Sequence, residues 1–211
     1  FFKQKTAYEI PKRDWSSDVC SSDLSGGDAA EEYNRATEAA YASVLNCPKP
    51  TLAKIRGICM GGGLGLALNC DVRICTSDAK FRMPAGRLGL GYAMAGIQRF
   101  IEVFGHAHTA DLFFSARIFG PADAHHMGLV KQVFEADQFE AGVSAYVQQV
   151  CENAPLTLAA TKRAILELRK DPAQRDIALV QKMVQACFAS EDYKEGRQAF
   201  AEKRTPRFQG R

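Results

Sequence analysis

GICMGGGLGLALNCD, residues Gly57–Asp71, is the stretch on which the fold turns. A strand-like run from Thr51 to Met60 ends in three glycines, and an apolar, helix-compatible segment follows. Glycine removes the Cβ, so backbone N–H groups can approach a ligand closely. A helix beginning there adds unpaired donors and a partial positive charge. Such a turn holds either a phosphate or an oxyanion formed during a reaction. It is not a phosphate-binding P-loop, because no GK[ST] follows GGGLG. The dinucleotide register G-x-G-x-x-G with a downstream acid is also absent. Close packing of a strand against a helix accounts for the glycines equally well, and both readings stand at this point.

Working outward, TLAKIRGICM reads as one strand, GGGLGLALN as a turn into a short helix, and DVRICT as a second strand. A further short strand is expected around Lys80–Met83. Strand, helix and strand within ~30 residues imply a parallel sheet. Upstream, Asp28 caps a helix with Glu31 in the capping-box position, and Tyr33, Ala40, Tyr41, Val44 and Leu45 recur at helical spacing. The segment CPKP ends it. Downstream, AMAGIQRFIEVFG, TADLFFSA and ADAHHMG read as helices separated by Gly105 and Gly120-Pro121, and LVKQVF returns to the sheet. Helices are then expected over Asp137–Glu152, Leu156–Lys170, Ala173–Ala189 and Glu191–Lys203. There is no internal repeat. The expected organisation is an α/β core over residues 25–136 followed by a helical region over 137–211.

The first 24 residues, FFKQKTAYEIPKRDWSSDVCSSDL, fit no period of 2 or 3.6 and contain the only tryptophan, Trp15. They lack the apolar h-region and cleavage site of a signal peptide. Back-translated, Lys3–Ile10 and Asp14–Leu24 match the two constant arms of an indexed sequencing adapter, with Pro11–Arg13 at the variable index. The segment is therefore read as a translated library artefact and set aside from the fold.

The whole chain carries 27 basic and 24 acidic side chains, a formal charge of +3. The leader holds equal numbers of each sign, so the balance is unchanged without it, and so mild a charge gives no nucleic-acid footprint. Of the seven cysteines six lie beyond the leader, with no CxxC and no zinc spacing. They read as small apolar residues of a protein in a reducing cytoplasm. No apolar run approaches the ~20 residues of a membrane span.

Three blocks carry a family resemblance: GICMGGGLGLALNCDVRICTSDAKFRMPAGRLGLGY, SARIFGPADAHHMGLVKQVF and SEDYKEGRQAFAEKRTPRF. In order and spacing they resemble the crotonase family, the enoyl-CoA hydratases and isomerases, across essentially all of Ser25–Arg211. The resemblance implies a ββα-spiral core with its first strands missing from this chain, a helical C-terminal region, and assembly as a trimer or hexamer. It also implies an acyl-CoA thioester as substrate, with coenzyme A carried by the substrate and no separate cofactor or metal. Gly62, the middle glycine, is implied as an oxyanion donor, with Met60, Gly61, Pro84 and Leu88 lining the substrate. FAEKR resembles the C-terminal helix near the coenzyme A site, where Lys203 meets a phosphate or is simply a solvated lysine. The partner oxyanion donor belongs to an AGAD-like loop. SGGD at Ser25–Asp28 resembles it loosely and makes Gly27 a candidate, although only 20 residues separate Asp28 from Lys49.

Hydratases of this resemblance carry two glutamates, one three residues beyond the middle glycine and one after the proline of FxxP. Those positions are Gly65 and Ala85 here, and neither transfers a proton. Between Thr51 and Ile101 the only carboxylates are Asp71 and Asp78, and Asp71 reads as a structural cap. LGLGYAMAGI resembles the methylmalonyl-CoA decarboxylase branch in placing Tyr92 in the pocket; packing against the following helix is the alternative. Decarboxylation yields an enolate without a base. His106, His108, His125 and His126 read as surface or core residues, and Phe113, Phe114 and Phe200 as core or subunit contacts. Three functions follow: an acyl-CoA enzyme of hydratase/isomerase descent, a malonyl-type acyl-CoA decarboxylase, or a non-catalytic acyl-CoA-binding trimer. The chain as it stands is expected to have little activity.

Overall fold

A computed structural model describes residues 28–211; the leader and Gly27 lie outside the described residues. The described chain forms two compact units. One comprises the residues up to Cys47 together with Thr51–Val143; the other comprises Pro48–Pro50 and Ser144–Arg211.

In the first unit, α1 (Asp28–Leu45) precedes β1 (Leu52–Ile55) and β2 (Ile58–Met60). The run TLAKIRGICM, expected as one strand, is two. Gly57 adopts φ +62, which the left-handed region allows glycine at little cost, and the chain changes direction there. Helix α2 (Gly61–Leu68) follows, then β3 (Val72–Thr76), β4 (Lys80–Arg82) and a four-residue helix α3 (Ala85–Leu88) that the pattern did not announce. Next come α4 (Met94–Ser115), α5 (Pro121–His126) and β5 (Gln132–Phe134); the residues of α6 (Phe139–Cys151) are divided between the two units after Val143. Gly105 is non-helical within α4, at φ 72 and ψ 171, so the two expected helices meet there at a kink.

The strands form two parallel sheets. β3 lies between β1 and β5 in one, and β2 pairs β4 in the other. Two successive passes of the chain place one strand in the first sheet, one in the second, and then helix, and a third pass adds β5 to the first sheet. That repetition is the ββα spiral. Its register follows from burial: Ala53, Ile55, Ile74 and Cys75 in the first sheet and Phe81 in the second are buried. Phe81 bridges Phe119 through paired backbone hydrogen bonds of 3.0 Å, and their rings stack with centroids 5.4 Å apart. Leu64, Leu68, Phe100 and Leu129 complete the core around α2.

In the second unit, α7 (Pro155–Leu168) packs on α8 (Ile177–Ala189), and α9 (Glu191–Ala201) also contacts α8. The helix expected over Ala173–Ala189 starts later. Pro172–Gln174 form a 3-10 turn, and the Asp176 side chain accepts the Leu179 N–H at 2.9 Å, so the cap resets the helix start to Ile177. Ser190 likewise caps α9 by accepting from the Tyr193 N–H at 3.1 Å. The carboxylate of Asp192 is buried and holds the tail by accepting from the N–H groups of Gln209 and Gly210 at 2.7 and 2.8 Å.

Candidate functional site

The site is built on the junction of β2 and α2. Met60 ends the strand in an extended conformation (φ −131, ψ 158) and caps α2 without a side-chain hydrogen bond. The first-turn N–H groups of Gly61, Gly62 and Gly63 have no partner within the helix. No acidic side chain lies in that first turn to neutralise its partial positive charge. Gly61 turns the chain into the helix at φ +51. A Cβ there would stand 3.9 Å from the Pro84 ring, so the turn and the end of β4 lie side by side. The pairing of Met60 with Arg82 produces this neighbourhood. The sequence-derived residues Met60, Gly61, Gly62 and Pro84 thus gather in one place.

The other end of α2 is held by two arginines. Arg73, on β3, is buried and donates Nε–H to Leu129 O and NH1 to Cys70 O at 2.7 Å and Ala67 O at 3.4 Å. Burial, followed by the nearby Arg99 charge, lowers its pKa to about 10, so the guanidinium remains charged at neutral pH. Arg99 donates Nε–H to Leu68 O at 2.7 Å. Cations at a helix C-terminus complement its partial negative charge. They also fix the helix whose opposite end carries the free donors.

Position 65 is occupied from outside. An ideal Cβ on Gly65 would meet the Tyr41 Oη at 2.4 Å and its Cζ at 2.9 Å. The Tyr41 hydroxyl donates to Gly62 O at 3.0 Å. The ring from α1 therefore fills the volume a side chain at 65 would need. Sequence reading placed Tyr41 on an apolar helix face and missed this role. The only sequence signal was an unexplained glycine at 65, and nothing local to Tyr41 points across 24 residues to it. Ala85 is buried, 4% exposed.

Leu88 ends α3 and is 52% exposed. Tyr92 lies edge-on to Phe113 and Phe100, with ring centroids 5.2 and 6.0 Å away. A Cβ on Gly96 would meet the Tyr92 ring at 2.5 Å, so this ring packs on the start of α4. Lys203, within its own unit, is exposed beyond α9 at φ 53. Asp71 is a structural pin whose carboxylate accepts from the Thr51 N–H and hydroxyl. His106, His125 and His126 are exposed and His108 half-buried. Phe113 is half-buried, while Phe114 and Phe200 are each 88% exposed. Among the described residues no cluster of three or more metal-binding side chains occurs, and no helix is long and apolar enough to cross a membrane.

A parallel ββα spiral with a glycine-opened helix N-terminus at its second sheet defines a crotonase-fold protein. The chain belongs to the enoyl-CoA hydratase/isomerase family, whose pattern it matches over residues 21–211. It is 30% identical over 199 residues to the peroxisomal Δ(3,5)-Δ(2,4)-dienoyl-CoA isomerase of Arabidopsis thaliana, covering 91% of this chain and 72% of that protein. It is 32% identical over 173 residues to the mitochondrial methylglutaconyl-CoA hydratase of Rattus norvegicus, covering 79% of this chain and 54% of that one. The crystal structure of an enoyl-CoA hydratase/carnithine racemase from Magnetospirillum magneticum superposes with a TM-score of 0.82 at 30% identity. That match covers 92% of this chain and 73% of the other. The chain thus spans roughly half to three quarters of the length of these relatives, and just 62% of some others.

Proposed function

We propose that the protein binds an acyl-CoA thioester and stabilises its enolate, with the Gly62 N–H directed at the thioester oxygen. The observation that carries this reading is the uncapped, glycine-opened N-terminus of α2, whose donors lie beside Pro84. A donor placed for a developing oxyanion contributes roughly 3–4 kcal/mol to the barrier. Met60, Gly61 and Leu88 line the acyl group in this reading, and Lys203 meets a coenzyme A phosphate. Coenzyme A arrives with the substrate.

Gly65 and Ala85 favour a reaction that needs no carboxylate base. Loss of CO2 from a malonyl-type acyl-CoA, such as methylmalonyl-CoA, forms the enolate directly. The other reaction of this descent, hydration of an enoyl thioester, needs an acid and a base that these positions do not supply. A homotrimer or hexamer is supported by the apolar side chains exposed in the second unit, among them Ile165, Leu168, Ile177, Val184 and Phe188. Cys47, Cys59, Cys75 and Cys187 are free thiols, which suits a reducing compartment such as the cytoplasm.

Calorimetry with a non-reactive acyl-CoA analogue, alongside assays with methylmalonyl-CoA and crotonyl-CoA, tests the reading. Binding with CO2 release supports it. Hydration of crotonyl-CoA overturns the decarboxylation, binding without turnover leaves an acyl-CoA-binding scaffold, and no binding overturns the whole. Light scattering checks the oligomer.

A further inference from the structure

The turn described above carries the proposed oxyanion donor, and the two carboxylates between Thr51 and Ile101 are engaged elsewhere. Asp71 is committed to Thr51, and Asp78 accepts from the Thr76 hydroxyl. The Tyr92 ring packs against Gly96, Phe100 and Phe113. What does stand at position 65 is the Tyr41 phenol, half-buried, with its oxygen in the space of the missing side chain and its proton on Gly62 O.

We propose that Tyr41 is the proton donor of this site, delivering its hydroxyl proton to the α-carbon of an enolate held at Gly62. Three residues along a helix return to nearly the same face about one turn further on, an advance of ~5 Å. An oxygen held about 3 Å from the Gly62 nitrogen has its α-carbon about 2.4 Å further on, which puts that carbon within reach of a donor one turn along the helix. Rotation about the Cζ–Oη bond swings the proton from Gly62 O towards that carbon without moving the oxygen. Gly65 has no Cβ because the phenol needs its place.

The step balances. Loss of CO2 breaks the bond between the α-carbon and the carboxylate, and the electron pair passes into the enolate. The enolate carbonyl re-forms as the α-carbon takes the Tyr41 proton. The phenolate left behind is reprotonated by water. The inference rests on the enolate reading above, and its test separates the two.

The test is decarboxylation of methylmalonyl-CoA in D2O by the wild-type chain and by Tyr41→Phe, which keeps the ring in place. The product of the wild-type chain is expected to carry deuterium on one face of its α-carbon. In Tyr41→Phe turnover falls ~10²-fold and the label appears on both faces, because bulk solvent now protonates the enolate. A Tyr41→Phe product labelled on a single face, as in the wild-type chain, overturns the proposal while decarboxylation stands. Absence of CO2 release from the wild-type chain overturns the decarboxylation reading and the donor role with it. A 3,5-difluorotyrosine at position 41 preserves the shape and the hydroxyl while acidifying the phenol. It is expected to move the alkaline limb of the pH–rate profile to lower pH, and an unmoved limb also overturns the proposal.

Discussion

The Asp71 carboxylate closes on Thr51, accepting its N–H at 2.6 Å and its hydroxyl at 2.9 Å. Asp71 N–H returns a bond to Thr51 Oγ1 at 3.0 Å, and Thr51 O accepts from the N–H groups of both Asp71 and Val72 at 3.1 Å. The pair sits at the entry to β1 and β3 and fixes the register Leu52↔Val72. Thr51 is buried, so removing the carboxylate strands donors that water does not reach easily. Asp71→Ala is expected to lower stability by about 1–3 kcal/mol. A urea denaturation midpoint equal to that of the unsubstituted chain refutes the pin.

Gly61 and Gly65 are glycines for different reasons, and substitution separates them. Alanine at 61 meets only ordinary contact with Pro84 but must hold φ +51, a strain of roughly 1–2 kcal/mol. Alanine at 65 meets Tyr41 Oη at 2.4 Å, an overpacking that costs about 1–3 kcal/mol. In a Tyr41→Ala background the Gly65→Ala penalty is expected to disappear, whereas the Gly61→Ala penalty persists. A double-mutant cycle by thermal melting reads the coupling between 41 and 65 directly. Additive effects at those two positions contradict the packing described for Tyr41.

The thiols divide by burial. Cys47 and Cys187 are half-buried, whereas Cys59 and Cys75 are buried in the core. Burial, with smaller contributions from Cys75 and Cys70, pushes the Cys59 thiol up to about 12. Burial, then the Asp78 charge, pushes Cys75 up to about 12 as well. The native state therefore keeps these protons over a range in which the unfolded chain, near 9.0, has released them. Stability is expected to fall as pH rises above about 9 towards 12 on their account. A disulfide reagent at neutral pH is expected to label Cys47 and Cys187 well before Cys59 and Cys75, which react only on unfolding. Rapid labelling of Cys59 in the native chain contradicts that order.

Much of this architecture was legible. The sequence of strand, three glycines and helix predicted parallel pairing, and Gly105 and Gly120-Pro121 marked real interruptions. The break inside TLAKIRGICM was hidden, because a strand-like run looks the same whether it continues or turns at Gly57. The start of α8 was hidden for another reason. Ala173–Arg175 are compatible with helix, and only the Asp176 cap decides where the regular turns begin. At the site, the backbone elements around Gly62 were legible from local spacing. Tyr41 was not, because its role depends on packing α1 against α2, a tertiary contact with no local signature. The same limit applies to Arg73, since nothing in DVRICT announces the three carbonyls that converge on its side chain.

Acid is expected to loosen the C-terminal tail. Glu195 accepts from Arg204 at 2.7 and 2.9 Å and from the Arg207 N–H at 2.7 Å. The Arg204 hydrogen bonds, followed by the Arg207 amide, hold its carboxyl down to about 2. Its folded-state pKa is thus depressed below the ordinary value of 4.5, so its contribution is present above about 4.5 and lost as pH falls towards about 2. The pair lies near solvent, where such contributions are small and screened by salt. Local release of Thr205–Arg211 is therefore expected before global unfolding. Carboxyl NMR of Glu195 follows its titration, and limited trypsin cleavage after Arg207 follows the tail. Glu195→Gln is expected to bring trypsin sensitivity of Arg207 to pH 7, and high salt to do so in part. Equal resistance in both chains at pH 7 shows that Asp192, through its bonds to Gln209 and Gly210, holds the tail without Glu195.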